Sequence, residues 1–282
     1  MSAGIIGYDN PGSEGFPSPA VWADCPNTLL NDKGLGYFHH HSGIGNVNTL
    51  PPLREDSDAA TYTYDDGANG DNRTINAATG AGTDNHAFAV HTSPLAKVVK
   101  NSGTKLWAEV DIALAAIADQ ALFFGLAESA ALDRDVVSDD PSNSAQAGLD
   151  GESLIGFVTQ QNSSATNKLD AVYQKDADGV VDVLTDATNA TALQSRSENG
   201  SQIQSDLTGD LSADSFVRLA VVFDGRDKLK FYVKGVKVAE QTVDNTVDQS
   251  KEYGVVLALK NGTAAERTLR YRFFRAAAQV RS

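Results

Sequence analysis

The feature that most constrains this chain is a strict two-residue hydrophobic period in its second half. Leu106, Ala108, Val110 and Ile112 alternate with Trp107, Glu109 and Asp111. In Lys228–Lys234, Leu229, Phe231 and Val233 fall on one side, with three lysines and Tyr232 on the other. Successive side chains of a strand point to opposite faces, whereas a helix would scatter these positions around its axis. Phe216–Phe223 repeats the pattern, and apolar runs at 121–127, 154–158, 169–173, 236–239, 254–259 and 268–274 extend it. With turn residues between the runs, the pattern predicts an all-β, antiparallel sandwich of two facing sheets. The alanine-rich stretch 112–122 lies between two strand patterns and is read as holding a turn. The polar segments 128–152 and 174–215 read as loops, and no internal repeat is present.

Residues 1–85 differ. Asn10-Pro11-Gly12, Pro17-Ser18-Pro19, Pro51-Pro52, Asp65-Asp66-Gly67 and Asn69-Gly70 are turn and loop chemistry. Trp22, Leu29, Leu30, Tyr37, Phe38, Tyr62 and Tyr64 are spaced through the stretch as anchors. The expectation is an extended, irregular N-terminal arm over 1–85, lying on its own sandwich or on a neighbouring subunit, and a sandwich over 86–282. A chain of 282 residues is long enough for one large β domain with such an appendage, or for two small domains.

Net charge is −14, which argues against general nucleic-acid binding. From Phe216 onward there are thirteen Lys or Arg and seven Asp or Glu, against ten and thirty before it. The basic C-terminal part is read mainly as the solvated faces of strands, with docking to an acidic surface as the alternative. The stretch after Met1 lacks a basic and then apolar pattern, so no secretory signal is expected. No run approaches the roughly 20 apolar residues of a membrane helix, and no membrane association is expected. Cys25, the sole cysteine, cannot form an internal disulfide, which fits a reducing compartment. It is read as a small, partly buried side chain rather than a nucleophile.

The stretch Asp224–Val238, with Leu229-Lys230-Phe231-Tyr232-Val233 followed by Lys234-Gly235, resembles the hairpin of laminin-G and concanavalin-like domains. A second resemblance is narrower. Trp22-Ala23-Asp24-Cys25-Pro26, then Gly34-Leu35-Gly36-Tyr37-Phe38, then Phe123-Phe124-Gly125-Leu126-Ala127, Ile155-Gly156-Phe157 and Val172-Tyr173 are similar to structural proteins of tailed bacteriophages. In that group such an opening precedes a concanavalin-like domain. His39-His40-His41 stands where the group carries an acidic residue after its aromatic pair. The resemblance implies a concanavalin-like jelly-roll sandwich in a virion protein, and within that class a capsid decoration (cement) protein. It would sit on the capsid surface after assembly in the host cytoplasm. Its expected partners are the major capsid protein and its own copies, with a homotrimer matching the threefold sites of an icosahedral head. The alternative is a tail- or head-fibre module whose sandwich holds host glycans. A glycoside hydrolase is the third reading.

Glycoside hydrolysis requires two carboxylates flanking the scissile bond. Glu109-Val110-Asp111 begins the laminarinase-like pattern of three spaced acids, with Trp107 beside it as a sugar platform, but Leu114 occupies the third acid's position. The carboxylates are therefore read as the solvent face of a strand, no catalytic residue is assigned, and the chain is expected not to be an enzyme. Neighbouring side chains of an extended His39-His40-His41 point to opposite sides, so no metal is assigned there. Asp176-Ala177-Asp178-Gly179 and the acids between Asp133 and Asp150 lack an EF-hand's closing Glu and read as turns. Neither phosphate-binding loop nor nucleophile elbow occurs, and no cofactor is expected. The candidate partner-binding residues are Trp22, Tyr37 and Phe38 on the arm and Lys228, Lys230, Arg270 and Arg272 on the basic strands.

Overall fold

The computed structural model describes residues 18–25, 53–56, 60–65, 74–80, 87–117, 120–132, 136–137, 153–159, 169–175, 212–243 and 247–279. Two seven-stranded antiparallel sheets face each other. The strands are β1 (Leu53–Asp56), β2 (Thr61–Asp65), β3 (Thr74–Ala78), β4 (Ala87–His91), β5 (Ala96–Lys97), β6 (Lys105–Leu114) and β7 (Gln120–Glu128). They continue with β8 (Leu154–Thr159), β9 (Asp170–Gln174), β10 (Val217–Phe223), β11 (Lys228–Val233), β12 (Val236–Thr242), β13 (Glu252–Asn261) and β14 (Thr268–Gln279). The front sheet runs β12-β11-β10-β6-β14-β3-β2, and the back sheet β1-β4-β13-β7-β8-β9 with β5 beside β13. The only α-helical element among the described residues is a single turn, α1 (Pro19–Trp22).

The alternation read from the sequence sets the core. Leu106, Ala108, Val110 and Ile112 of β6 meet Val217, Leu219, Val221 and Phe223 of β10 and Leu229, Phe231 and Val233 of β11, all buried between the sheets. In the β10–β11 register Val221 opposes Phe231 and Leu219 opposes Val233. Phe231 crosses to the back sheet, where Phe157 meets it edge to face at 5.6 Å. The β11–β12 hairpin turns on Lys234 and Gly235, at φ of 51° and 77°. Two positive φ values in a two-residue loop are what matches the twist of the flanking strands. The turn expected within 112–122 falls between β6 and β7.

Two sequence expectations change. The stretch 1–85 is not irregular throughout: β2 pairs with β3, β3 with β14, and β1 with β4. The sheets therefore begin before residue 86. These strands have only four or five residues each and are separated by turn-rich sequence, so no periodic signal accumulates. Further, the outer faces of the sheets are not simply solvated. A second apolar cluster on the back sheet joins Phe123, Leu154, Val158 and Val256 to Leu132, Val136 and Val137. A third, on the front sheet, joins Trp107, Ala220, Val222 and Ala277 to Val21 and Trp22.

Candidate functional site

The outer face of the front sheet is where chemistry-bearing side chains gather. Strand pairing arranges them in rows across the sheet. Glu109 of β6 stands between Ala220 of β10 and Arg275 of β14, and Asp111 between Arg218 and Phe273. A register shift between Tyr271 and Phe273 inserts Arg272 as an extra residue. Before the shift Leu269 and Tyr271 face the core, and after it Phe274 and Ala276 do.

Residues 18–25 lie across this face as a strap. Glu109 is fully buried beneath it. Its carboxylate accepts the Ser18 backbone N–H at 3.0 and 3.1 Å and the Trp22 Nε1–H at 2.6 Å. Burial pushes the Glu109 carboxyl above its ordinary pKa, while these hydrogen bonds and the charge of Arg218 act against the rise. The Trp22 indole stacks on Trp107, with ring centroids 6.4 Å apart and planes 20° from parallel. Asp24 closes the strap by accepting the Trp107 Nε1–H at 3.1 Å and pairing with Lys105. Cys25 packs against the same cluster. Burial first, and then the charge of Asp24, push its thiol up to about 12, so it is not a thiolate nucleophile at neutral pH.

Beside the strap, four guanidiniums lie over aromatic rings. Arg272 is 3.6 Å and Arg270 5.7 Å from the Phe216 ring centroid, and Arg218 and Arg275 are each 5.3 Å from that of Phe273. Stacking of this kind holds a guanidinium plane in place. Asp111 lies 3.7 Å from both Arg218 and Arg272, and Arg270 bonds Asp214 at 2.7 Å. This is an ion-paired layer on the sheet rather than a field of unmatched positive charge.

The candidate residues separate accordingly. Trp22 is 4 % exposed and is spent on its own sandwich. As an exposed partner contact it is corrected: Trp107 and Glu109 supply the surface that covers it. Arg270 and Arg272 do share the face with Trp22, but their side chains are 18 % and 10 % exposed, so the basic strands are not a solvated surface there. Lys228 and Lys230 lie toward the sheet edge, 3.9 Å from Glu240 and 3.5 Å from Asp224. Tyr37, Phe38, His39–His41 and the acidic stretches 138–150 and 176–179 fall outside the described residues. Among the described residues no cluster of three metal-ligating side chains occurs, and no helix is long and apolar enough to cross a membrane. Glu109 and Trp107, read from the sequence as solvent face and sugar platform, are both buried. Sequence reasoning passed over Asp24, Arg218, Arg275 and Phe216. The available signal was that Ala220, Val222, Trp107 and Ala277 are apolar at outward positions, which requires a cover.

No protein-family model matches this chain, and no curated protein does. Solved structures share its fold, the concanavalin-like β-sandwich. A protein of unknown function from Shewanella oneidensis MR-1 superposes with a TM-score of 0.54 at 10% identity, covering 95% of this chain and 97% of that one. Peanut lectin gives 0.52 at 12% identity, over 88% and 99%. The carbohydrate recognition domain of Emp47p gives 0.50 at 11% identity, over 84% and 93%. At such identities the likeness is one of fold.

The expectation that the chain is not an enzyme is corrected by the same comparison. An endo-β-1,4-glucuronan lyase from Trichoderma reesei (TM-score 0.49, 11% identity, 84% and 94% covered) and a glycosidic hydrolase (0.47, 11%, 85% and 94%) are also found among the sandwich's neighbours. Those likenesses carry no reaction and no residue over to this chain.

Proposed function

We propose that the chain is a structural component of a phage virion, a decoration protein on the outer head surface, with the major capsid protein and its own copies as partners. The observation that carries this reading is the strap. Trp22-Ala23-Asp24-Cys25, part of a segment by which the sequence resembles virion proteins, is built into the sandwich through Glu109, Trp107 and Lys105. Trp22 and Asp24 of that segment thus have a defined structural task. Because Trp22 is occupied, lattice contacts fall to residues on the N-terminal side of Ser18 and to the exposed end of the β11–β12 hairpin. A deletion of residues 1–17 keeps the strap and removes the first of these. The expected result is a folded protein that no longer co-sediments with undecorated heads. Undiminished co-sedimentation would move the contact to the sandwich.

A second reading, binding of host glycans by a fibre-type module, is favoured by a specific observation: a carbohydrate recognition domain and peanut lectin are built on the same sandwich. A glycan array probed with the intact protein tests it. Saturable, sugar-competed binding supports the reading, and an array without signal removes it for the intact protein.

A further inference from the structure

The sandwich core contains no residue of the strap. Val21 and Trp22 belong to a separate cluster on the outside of a sheet whose central strand, β6, is already paired on both sides by β10 and β14. The sheet is complete without the strap, which adds a single helical turn. Beneath it lies a patch of defined make-up. Trp107, Ala220, Val222 and Ala277 form its apolar part, and Glu109, Lys105 and Arg275 lie beside them on the same face. The strap meets each group in kind. A flat ring lies on Trp107, two N–H donors reach Glu109, and a carboxylate takes Lys105 and the Trp107 Nε1–H. The guanidinium of Arg275 lies 5.7 Å from the Trp22 ring centroid.

A pyranose bearing a carboxylate offers the same set. Its apolar face stacks on an indole, its hydroxyls donate to a buried carboxylate, and its carboxylate accepts from an ammonium and an indole N–H. We propose that Ser18–Cys25 is a displaceable strap over a subsite for uronic-acid polysaccharide, and that strap and sugar compete for Trp107, Glu109 and Lys105. The proposal rests on the glycan-binding reading above and deepens it by naming the sugar class and the device that covers it.

The full chain holds two tryptophans, Trp22 and Trp107. In Trp22→Ala/Asp24→Ala, Trp107 is therefore the sole indole and reports directly on the patch beneath the strap. The probe is polyglucuronate, with a neutral β-glucan as control and far-ultraviolet circular dichroism as the check on folding. The strap-opened variant is expected to bind polyglucuronate at least tenfold more tightly than the intact protein, with a shift in Trp107 emission. That gain should disappear when Lys105→Ala is added, and the neutral glucan should give no shift. Asp24→Ala alone, which loosens one end of the strap, should bind with intermediate affinity and covers the case in which the double variant fails to fold. Folded variants with no gain for polyglucuronate overturn the proposal. If the intact protein still binds sugars on the array, the glycan reading survives that result. If neither intact nor opened protein binds any sugar, the glycan reading falls as well.

Discussion

The Trp22 indole donates its Nε1–H to Glu109 at 2.6 Å, joining two residues 87 positions apart in the chain. A carboxylate on the outward side of a central strand would ordinarily be hydrated. Here it is fully buried and accepts from a backbone amide as well as from the indole. Replacing it by Glu109→Ala leaves both donors under the strap without an acceptor. The expected loss is about 1–3 kcal/mol in chemical denaturation, with faster hydrogen exchange of the Ser18 amide. Unchanged stability and exchange would mean that the strap is held by stacking alone.

The same carboxyl gives a pH dependence with a definite sign. Burial raises its pKa in the folded protein. Its contribution to stability is therefore fully present below the ordinary carboxylate value and is lost as pH rises through the raised one. Glu109→Gln should be least advantaged over the parent in acid and gain on it as pH rises. Asp224 behaves in the opposite way. Burial pulls its carboxyl up, but hydrogen bonds from the Arg226 and Lys228 amides and the charge of Lys230 outweigh that and hold it below the usual range. Its contribution is present above the ordinary value and is lost as pH falls through the lowered one. Relative to the parent, the denaturation midpoint of Glu109→Gln should therefore rise with pH across the acid range, and that of Asp224→Asn should fall. Parallel profiles would contradict both assignments.

Phe231 tests the core. It opposes Val221 within the front sheet and meets Phe157 of the back sheet edge to face. Phe231→Ala should cost about 3–5 kcal/mol, as other large truncations at packed sites do. A loss below about 1 kcal/mol would mean that the site collapses onto the space or that the face is wrongly assigned.

Gly235 tests the hairpin. At φ 77° an added Cβ meets ordinary contact with Ser18, at 3.4 Å, so space is not the obstacle. The backbone conformation is, and Gly235→Ala should cost about 1–2 kcal/mol, read as a lower thermal midpoint. An unchanged midpoint would mean the turn relaxes to another type.

Those two elements were legible in the sequence because their signals are local: alternation assigns Phe231 to the core, and Lys234-Gly235 between two strand patterns marks the turn. The strap was legible only in part. Turn residues and spaced aromatics announced a pinned segment, but what pins it lies on β6, and no local rule joins Trp22 to Glu109. The apolar outward residues Ala220, Val222 and Ala277 record that a cover exists without saying which segment supplies it. β1, β2 and β3 escaped for another reason. Each is short, and the pairings that make β1 and β3 strands, with β4 and β14, lie with other parts of the chain.

The most direct measurement of the account is an electron-microscopy map of the intact particle. The two-sheet density should lie on the outer head surface, clustered about the threefold sites, with the end of the β11–β12 hairpin and the chain leading to Ser18 toward the lattice. Density for this chain on a tail or fibre, or a purified particle that lacks the chain altogether, would contradict the assignment to the head.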